Sequence, residues 1–175
     1  MNDINSYNTL IPENLLRFKS KFFVETGSNY GLGIKVALEC GFEQIYSCDI
    51  NQKYYDICLD LYKNNNNVNL YLTDSINFLN NMSEKVKNNI TFWLDAHNES
   101  NDRCPLIREL EILKNKYDNT NTILVDDINL LGTSWAKSLN LDIIKKKILE
   151  INSNYKIEIL ERKCKYGGHL LAAFL

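Results

Sequence analysis

The chain has 175 residues, of which 45% are hydrophobic and 24% are charged, and its formal net charge is −2. This length and composition predict one soluble globular domain over residues 1–175, in which residues 1–20 form an N-terminal helical cover. Because the charge is slightly negative, we expect neither nucleic acid nor an anionic membrane as a partner.

The cysteines bear on the cellular compartment. They are five in number, they are scattered, and no two of them form a C-x-x-C pair. We therefore expect neither a disulfide framework nor a zinc site. No apolar run approaches the roughly 18 residues that span a bilayer, and the polar start of the chain is unlike a signal peptide. A cytoplasmic location is the resulting expectation.

The first predicted element is a short amphipathic helix over residues 12–18, with Pro12 in its first turn. Such a helix can pack over an edge of the sheet or close over a ligand pocket. Packing is favoured, because chain termini are more often tied down than catalytic.

Residues 22–33 combine an apolar run, the acidic residue Glu25 near its end and a glycine-bearing loop, and a helix over residues 34–40 follows and stops at Gly41. A buried parallel strand is a continuous apolar run, and glycines after it let the backbone approach a ligand closely. The loop lacks the G-x-G-x-x-G and P-loop spacings, and a carboxylate at the strand tip repels phosphate. The carboxylate of Glu25 instead favours a ligand with an amine or a sulfonium, and S-adenosylmethionine has both.

The second predicted strand, over residues 44–50, contains Asp49 near its end. An acidic residue about 20 residues beyond the glycine loop is where an open α/β sheet holds the hydroxyls of a ribose. Capping of the helix that starts near Gln52 is the alternative.

The third predicted strand covers residues 68–73 and delivers Asp74 and Ser75. Asp74 can accept a hydrogen bond from an adenine amino group, while Ser75 can cap the next helix. Right-handed crossovers bring the acidic ends of parallel strands to one edge of the sheet, the carboxyl edge, where such folds bind ligands.

With these motifs the chain resembles the class I S-adenosylmethionine-dependent methyltransferases. The resemblance is carried by Glu25-Thr26-Gly27 with Gly31 and Gly33, by Asp49, and by Thr73-Asp74-Ser75. It implies a Rossmann-like, doubly wound α/β fold whose seven strands have the order 3-2-1-4-5-7-6, with the last strand antiparallel and helices on both faces. It also implies that S-adenosylmethionine binds to Glu25, Thr26, Gly27, Ser28, Tyr30, Gly31, Asp49, Ile50, Asp74, Ser75 and Asp95.

The fourth and fifth predicted strands, over residues 90–94 and 122–125, deliver a second group of ionisable residues: Asp95, His97, Asp126 and Asp127. So much negative charge at one edge must be neutralised by protons, cations or a metal. Oxygen-rich clusters suit Mg²⁺, Mn²⁺ or Ca²⁺ rather than zinc. The alternative is a purely structural role, in which His97 is a loop histidine and Asp126 caps the following turn.

This second group is similar to the metal site of catechol-type and macrocin-type O-methyltransferases. The similarity implies that Asp95, Asp126 and Asp127 bind Mg²⁺ or Mn²⁺, with Asp127 in place of an amide. Such an ion would hold the acceptor oxygen and lower its pKa. Without a metal, His97 would take the acceptor proton as general base. The residues expected to be catalytic are therefore Asp95, His97 and Asp126.

A helix over residues 136–151 and two strands over residues 155–161 and 169–175 complete the predicted fold. Nothing remains for a substrate domain, so we expect a small acceptor or a chain end.

The combined hypothesis is methyl transfer from S-adenosylmethionine to an oxygen of a small polar acceptor, such as a sugar or another natural-product or surface-glycan precursor. An N-methyltransferase and a non-catalytic S-adenosylmethionine-binding or nucleoside-binding protein are the alternatives. A nicotinamide enzyme is disfavoured by the missing G-x-G-x-x-G. The expected partner is a small molecule, and a homodimer is the assembly to test.

Overall fold

Seven strands form one mixed sheet in the computed structural model, which describes residues 10–96, 104–134, 136–161 and 169–175. The strands are β1 (Phe22–Thr26), β2 (Gln44–Asp49), β3 (Val68–Leu72), β4 (Ile90–Leu94), β5 (Thr122–Val125), β6 (Lys156–Glu161) and β7 (His169–Phe174). The helices are α1 (Pro12–Arg17), α2 (Leu32–Glu39), α3 (Gln52–Tyr62), α4 (Ser75–Met82), α5 (Leu106–Lys116) and α6 (Leu141–Ile151), with a short 3₁₀ helix at Ile128–Leu130.

The strand order is β3-β2-β1-β4-β5-β7-β6, which confirms the predicted order. The pairs β1–β2, β1–β4, β2–β3 and β4–β5 are parallel, whereas β7 runs antiparallel to both β5 and β6. The order changes direction between β1 and β4, and open α/β sheets bind ligands beyond the carboxyl ends of the strands at such a switch point. This rule places the expected ligand position beyond the ends of β1 and β4.

Two apolar layers enclose the sheet, because successive residues of a strand point to opposite faces. On β4, Phe92 packs into the layer that contains α4, α5 and α6, whereas Trp93 packs into the layer that contains α1 and α2. Every residue of β4 is buried. The central strand is therefore the continuous apolar run that a strand covered on both faces requires.

Helix α1 packs against the rest of the fold. Leu15 is fully buried, and the ring of Phe18 lies 5.2 Å from the ring of Phe174 on β7. These contacts favour the packing alternative for the predicted helix over residues 12–18. Residues 1–9 of the predicted N-terminal cover lie outside the described residues.

One helix boundary differs from its prediction. The helix expected from Ala136 begins at Leu141, because the side chain of Asn140 accepts a hydrogen bond from the amide of Ile143 at 3.0 Å. An N-cap asparagine pairs one of the amides that a helix start leaves unpaired, and so it fixes the start. Ala136 instead forms an isolated bridge with Leu131.

None of the helices in the described part of the chain is long and apolar enough to cross a membrane. The cysteines in that part are free thiols: Cys40, Cys48, Cys58 and Cys104. The single domain over residues 1–175 and the cytoplasmic location stay predictions.

Candidate functional site

Backbone hydrogen bonds continue past the strand ends and hold the following residues at one edge of the sheet. The amide of Gly27 donates to the carbonyl of Cys48 at 2.9 Å, and the amide of Asp95 donates to that of Thr26 at 3.1 Å. The amide of Asp126 likewise donates to the carbonyl of Leu94 at 3.1 Å. The acidic residues near the ends of β1 and β2 and directly after β4 and β5 therefore lie at the carboxyl edge, as the strand assignments predicted.

The loop after β1 is shaped by two glycines with positive φ angles, Gly27 at 87° and Gly31 at 78°. A Cβ atom on Gly27 would lie 2.6 Å from the carbonyl oxygen of Asp95, so the loop runs directly against the end of β4. The hydroxyl of Tyr62 donates to the carbonyl of Gly31 at 2.7 Å and anchors the far side of the loop to α3. Only glycine adopts these φ angles without strain, which explains both residues.

Glu25 lies beneath this loop, and only 2% of its surface is exposed. The hydroxyl of Ser47 donates to its Oε2 atom, and a Cβ atom on Gly33 would lie 1.8 Å from Oε1. Burial raises the pKa of Glu25 to about 8, the Ser47 hydrogen bond opposes this rise, and the charges of Asp95 and Asp49 add to it. The carboxyl is therefore mostly protonated at neutral pH, and it faces the protein rather than an open pocket. Its predicted role in cofactor binding stays a prediction.

Asp49 ties the loop to the start of α3. Its Oδ2 atom accepts from the amide of Asn29 at 2.9 Å, and its Oδ1 atom accepts from the amide of Asn51 at 2.8 Å. The cap of α3 is Asn51, whose side chain accepts from the amide of Lys53, so the alternative that Asp49 caps this helix is wrong. Each carboxylate oxygen has a second lone pair, which leaves Asp49 able to accept from a ribose hydroxyl.

Asp74 is the N-cap of α4, and the expectation that Ser75 caps this helix is wrong. Oδ1 of Asp74 accepts from the amide of Asn77 at 2.9 Å, and Oδ2 accepts from the side-chain amide of Asn77 at 2.6 Å. Ser75 is the first residue of the helix, and it is buried. Asp74 rather than Ser75 is the N-cap residue, because Asp74 has the extended backbone conformation that an N-cap residue adopts.

Apolar and aromatic side chains lie in the loop after β1 and directly after β2. Ile50, directly after Asp49, is 70% exposed. Tyr30 is half-exposed, and its ring lies 5.1 Å from the ring of Tyr54, with the ammonium of Lys53 5.9 Å from the Tyr30 ring centre. An exposed isoleucine beside the loop provides an apolar surface against which a planar ligand ring can pack.

The predicted acceptor side is built from the ends of β4 and β5. Asp126 is buried, and its Oδ1 atom accepts from the amide of Asp127 at 2.6 Å. Asp127 has a φ angle of 49° and begins the turn into the 3₁₀ helix. His97 lies outside the described residues, so its predicted role as a base stays a prediction.

Among the described residues, no three His, Cys, Asp or Glu side chains are placed so that they could hold a metal ion. The predicted metal ligands Asp95, Asp126 and Asp127 are all described, and they do not form such a group. The structure therefore gives no support to the predicted Mg²⁺ or Mn²⁺ site, and the roles of the three residues stay predictions.

The structure places His169 and Ser47 at the candidate site, and neither residue was predicted from the sequence. Since β7 is antiparallel to β5, with Leu171 opposite Val125, the first residue of β7 lies beside the carboxyl end of β5. The amide of His169 donates to the side chain of Asn129 at 3.2 Å, and its buried Nδ1 has no hydrogen-bond partner in the described part of the chain. His169 could have been found from the sequence, because it is a polar residue at the start of the predicted last strand. Ser47 could not, because only the pairing of β1 with β2 places it opposite Glu25.

Solved structures similar to this chain include methyltransferases. An O-methyltransferase from Bacillus cereus, solved in complex with SAH, has a TM-score of 0.68 and 12% identity, with 94% of this chain and 78% of that chain covered. The O-methyltransferase TomG from Streptomyces achromogenes, involved in tomaymycin synthesis and solved with SAM, has a TM-score of 0.67 and 9% identity, with 93% and 77% covered. Precorrin-6y C5,15-methyltransferase from Geobacter metallireducens has a TM-score of 0.60 and 12% identity, with 94% and 85% covered.

By sequence, the chain matches no family model and no curated protein. At identities of 9–12%, the likeness to the solved structures establishes a shared fold. That fold is the Rossmann-like methyltransferase sheet.

Proposed function

We propose that this protein transfers a methyl group from S-adenosylmethionine to an oxygen of a small polar acceptor. One observation carries the proposal: acidic ends of parallel strands surround a glycine loop at the switch point of the sheet. The fold around this arrangement is shared with O-methyltransferases that were solved with SAM or SAH.

The charge of the edge favours a cationic donor over a phosphate-bearing ligand. Besides the buried and mostly protonated Glu25 of β1, acidic residues lie at the ends of the other four parallel strands or within two residues beyond them: Asp49, Asp74, Asp95, Asp126 and Asp127. A sulfonium and an ammonium are attracted to such an edge, whereas a pyrophosphate is repelled. This electrostatic preference argues for S-adenosylmethionine against a nicotinamide dinucleotide.

The residues around the loop fit the parts of this donor. Asp49 is proposed to accept from the ribose hydroxyls through its remaining lone pairs, and exposed Ile50 to cover one face of the adenine ring. Asp74, at the end of the adjacent strand, is proposed to accept from the adenine amino group. The backbone of residues 27–31 is left to hold the amino-acid end, because its glycines keep it free of side chains at two turns.

The bound donor supplies an electrophilic methyl carbon, whose bond to sulfur breaks as a bond to the acceptor oxygen forms. Residues beyond β4 and β5 then have two tasks, which are to align the acceptor oxygen and to take its proton. Asp95 and Asp126 are proposed to align the acceptor, and His97 is proposed to take the proton. Because these groups are polar hydrogen-bond acceptors, a hydroxyl-rich molecule such as a sugar or another natural-product or surface-glycan precursor is the proposed acceptor class.

Calorimetric titration and a methyl-transfer assay test the proposal. We expect S-adenosylmethionine and S-adenosylhomocysteine to bind, and labelled methyl to appear on a hydroxyl of a sugar or phenol panel. Asp49→Asn should weaken binding by about tenfold or more, since a charge-assisted hydrogen bond is lost. Asp56→Asn, an exposed position on α3, is the matched control and should bind as the wild type does.

The other outcomes separate the alternatives. Transfer only to amines would favour an N-methyltransferase, and binding without transfer to any acceptor would favour a non-catalytic binder. Turnover that chelators abolish and Mg²⁺ or Mn²⁺ restores would establish the metal that the described residues do not support. Absence of binding would overturn the proposal. A homodimer and a cytoplasmic location are further proposals, which sedimentation and fractionation test.

A further inference from the structure

Three buried polar side chains form a line from the interior of β1 to the glycine loop. Glu25, Ser47 and Ser28 have exposed fractions of 2%, 0% and 4%. Ser47 donates to Oε2 of Glu25, and the hydroxyls of Ser47 and Ser28 lie 2.7 Å apart. Ser28 is the first residue after Gly27, so the line ends within the loop that is proposed to hold the donor.

Both oxygens of the Glu25 carboxyl are in contact with neighbouring residues. Its Oε1 atom fills the space beside Gly33, where even a methyl group would lie 1.8 Å away. Its Oε2 atom is engaged by Ser47, which lies opposite Glu25 in the register of β1 and β2. Hydrogen bonds link Glu25 to the ligand loop through Ser47 and Ser28.

No ion pair with a basic side chain balances Glu25 among the described residues, and the titratable groups around it are acids, thiols and a phenol. These groups are Cys48 and Asp49 from β2, Asp95 beyond β4, and Cys58 and Tyr62 from α3. Burial raises the pKa of Glu25 to about 8, the hydrogen bond from Ser47 opposes this rise, and the charges of Asp95 and Asp49 add to it. In the ligand-free protein at neutral pH, Glu25 mostly keeps its proton.

The hydrogen bonds along this line can run in either direction, because a serine hydroxyl both donates and accepts. When Glu25 is ionised, Ser47 donates to it and Ser28 donates to Ser47, so the oxygen of Ser28 is left to accept from the ligand side. When Glu25 is protonated, it can donate to Ser47, and Ser28 then presents a hydrogen outward. An ammonium group of the ligand offers only hydrogens, so it selects the ionised form.

We infer that Ser47 is a positioning residue which, with Ser28, couples Glu25 to the ligand loop, and that Glu25 releases its proton when the cationic donor binds. The inference rests on the proposed function, because the ligand is the sulfonium donor. Charge is conserved in this step: one cation enters the site and one proton leaves the carboxyl for solvent. Below pH 8, affinity should therefore rise by up to about tenfold for each pH unit.

Calorimetry in buffers of different ionisation enthalpy counts the protons directly, and it needs no acceptor. With S-adenosylmethionine at pH 7, the wild type should release close to one proton, and Glu25→Gln should release none. Ser47→Ala should still bind but with a smaller proton count, and Ser47→Thr, which keeps the hydroxyl, should restore the count. Ser83→Ala is the matched control, because Ser83 is a buried serine at the end of α4, remote from the loop.

The outcomes are distinct. If the wild type binds without releasing a proton, or Glu25→Gln releases as many as the wild type, the inference is overturned and the proposed function stands. If Ser47→Ala and Ser83→Ala change the proton count equally, Ser47 has no coupling role. If the wild type does not bind the donor, the proposed function itself fails.

Discussion

Replacing Glu25 by glutamine should change how stability depends on pH. Burial first, and then the charges of Asp95 and Asp49, raise the pKa of this carboxyl from 4.5 to about 8, against the Ser47 hydrogen bond. Between these two values the unfolded chain has lost the proton that the folded chain keeps, so the free energy of unfolding falls as pH rises. At about 1.36 kcal/mol for each pKa unit, the loss across this window is about 5 kcal/mol.

The glutamine variant has no proton to lose, so it should lack this part of the pH dependence. Above pH 8 it should be more stable than the wild type, although the substitution lies at a buried site. Urea denaturation of both proteins between pH 5 and pH 9 measures the two slopes. Glu43→Gln is the control, because Glu43 is exposed and pairs with Lys21 at 3.4 Å on the surface. The reasoning is refuted if Glu25→Gln keeps the wild-type slope, or if Glu43→Gln removes it.

Substitutions at three further positions test the geometry around the site and the core. Gly33→Ala would place a methyl group 1.8 Å from the Glu25 carboxyl, and we expect a loss of about 1–3 kcal/mol from overpacking, read by urea denaturation; an unchanged midpoint would contradict the packing. Tyr155→Phe removes a buried hydrogen bond of 2.5 Å to the carbonyl of Asn121, which should cost about 1–2 kcal/mol in thermal unfolding and nothing in donor affinity. Asp74→Ala removes the cap of α4 and should cost about 1 kcal/mol, while Asp74→Asn should recover most of it; equal losses in both variants would show that the cap is not the cause.

Several features of the fold were predictable because they depend on local patterns. The central strand β4 is an unbroken apolar run, and α2 ends just before a glycine with a φ angle of 71°. Parallel strands with right-handed crossovers must place their carboxyl ends together, so the edge that collects Asp49 and Asp126 followed from the strand assignments.

Contacts between strands were not predictable in the same way. Asp49 pairs with the amide of Asn29, twenty residues earlier in the chain, and no periodicity encodes that contact. The same holds for His169, which the antiparallel pairing of β7 carries to the end of β5. Helix α6 starts later than its pattern suggested, because a single side-chain cap at Asn140 decides the first turn.

The sequence by itself determined which residues lie at the carboxyl edge, because hydrophobic periodicity and chain handedness are properties of the chain read in order. Only the tertiary structure decided what their side chains do there. Glu25 was predicted to attract an amine or a sulfonium, which stays a prediction, and the structure adds that register places it opposite Ser47 and that it packs against Gly33. The charge of a carboxyl depends on the solvent and neighbours that folding leaves around it, and those are fixed by residues far away in the sequence.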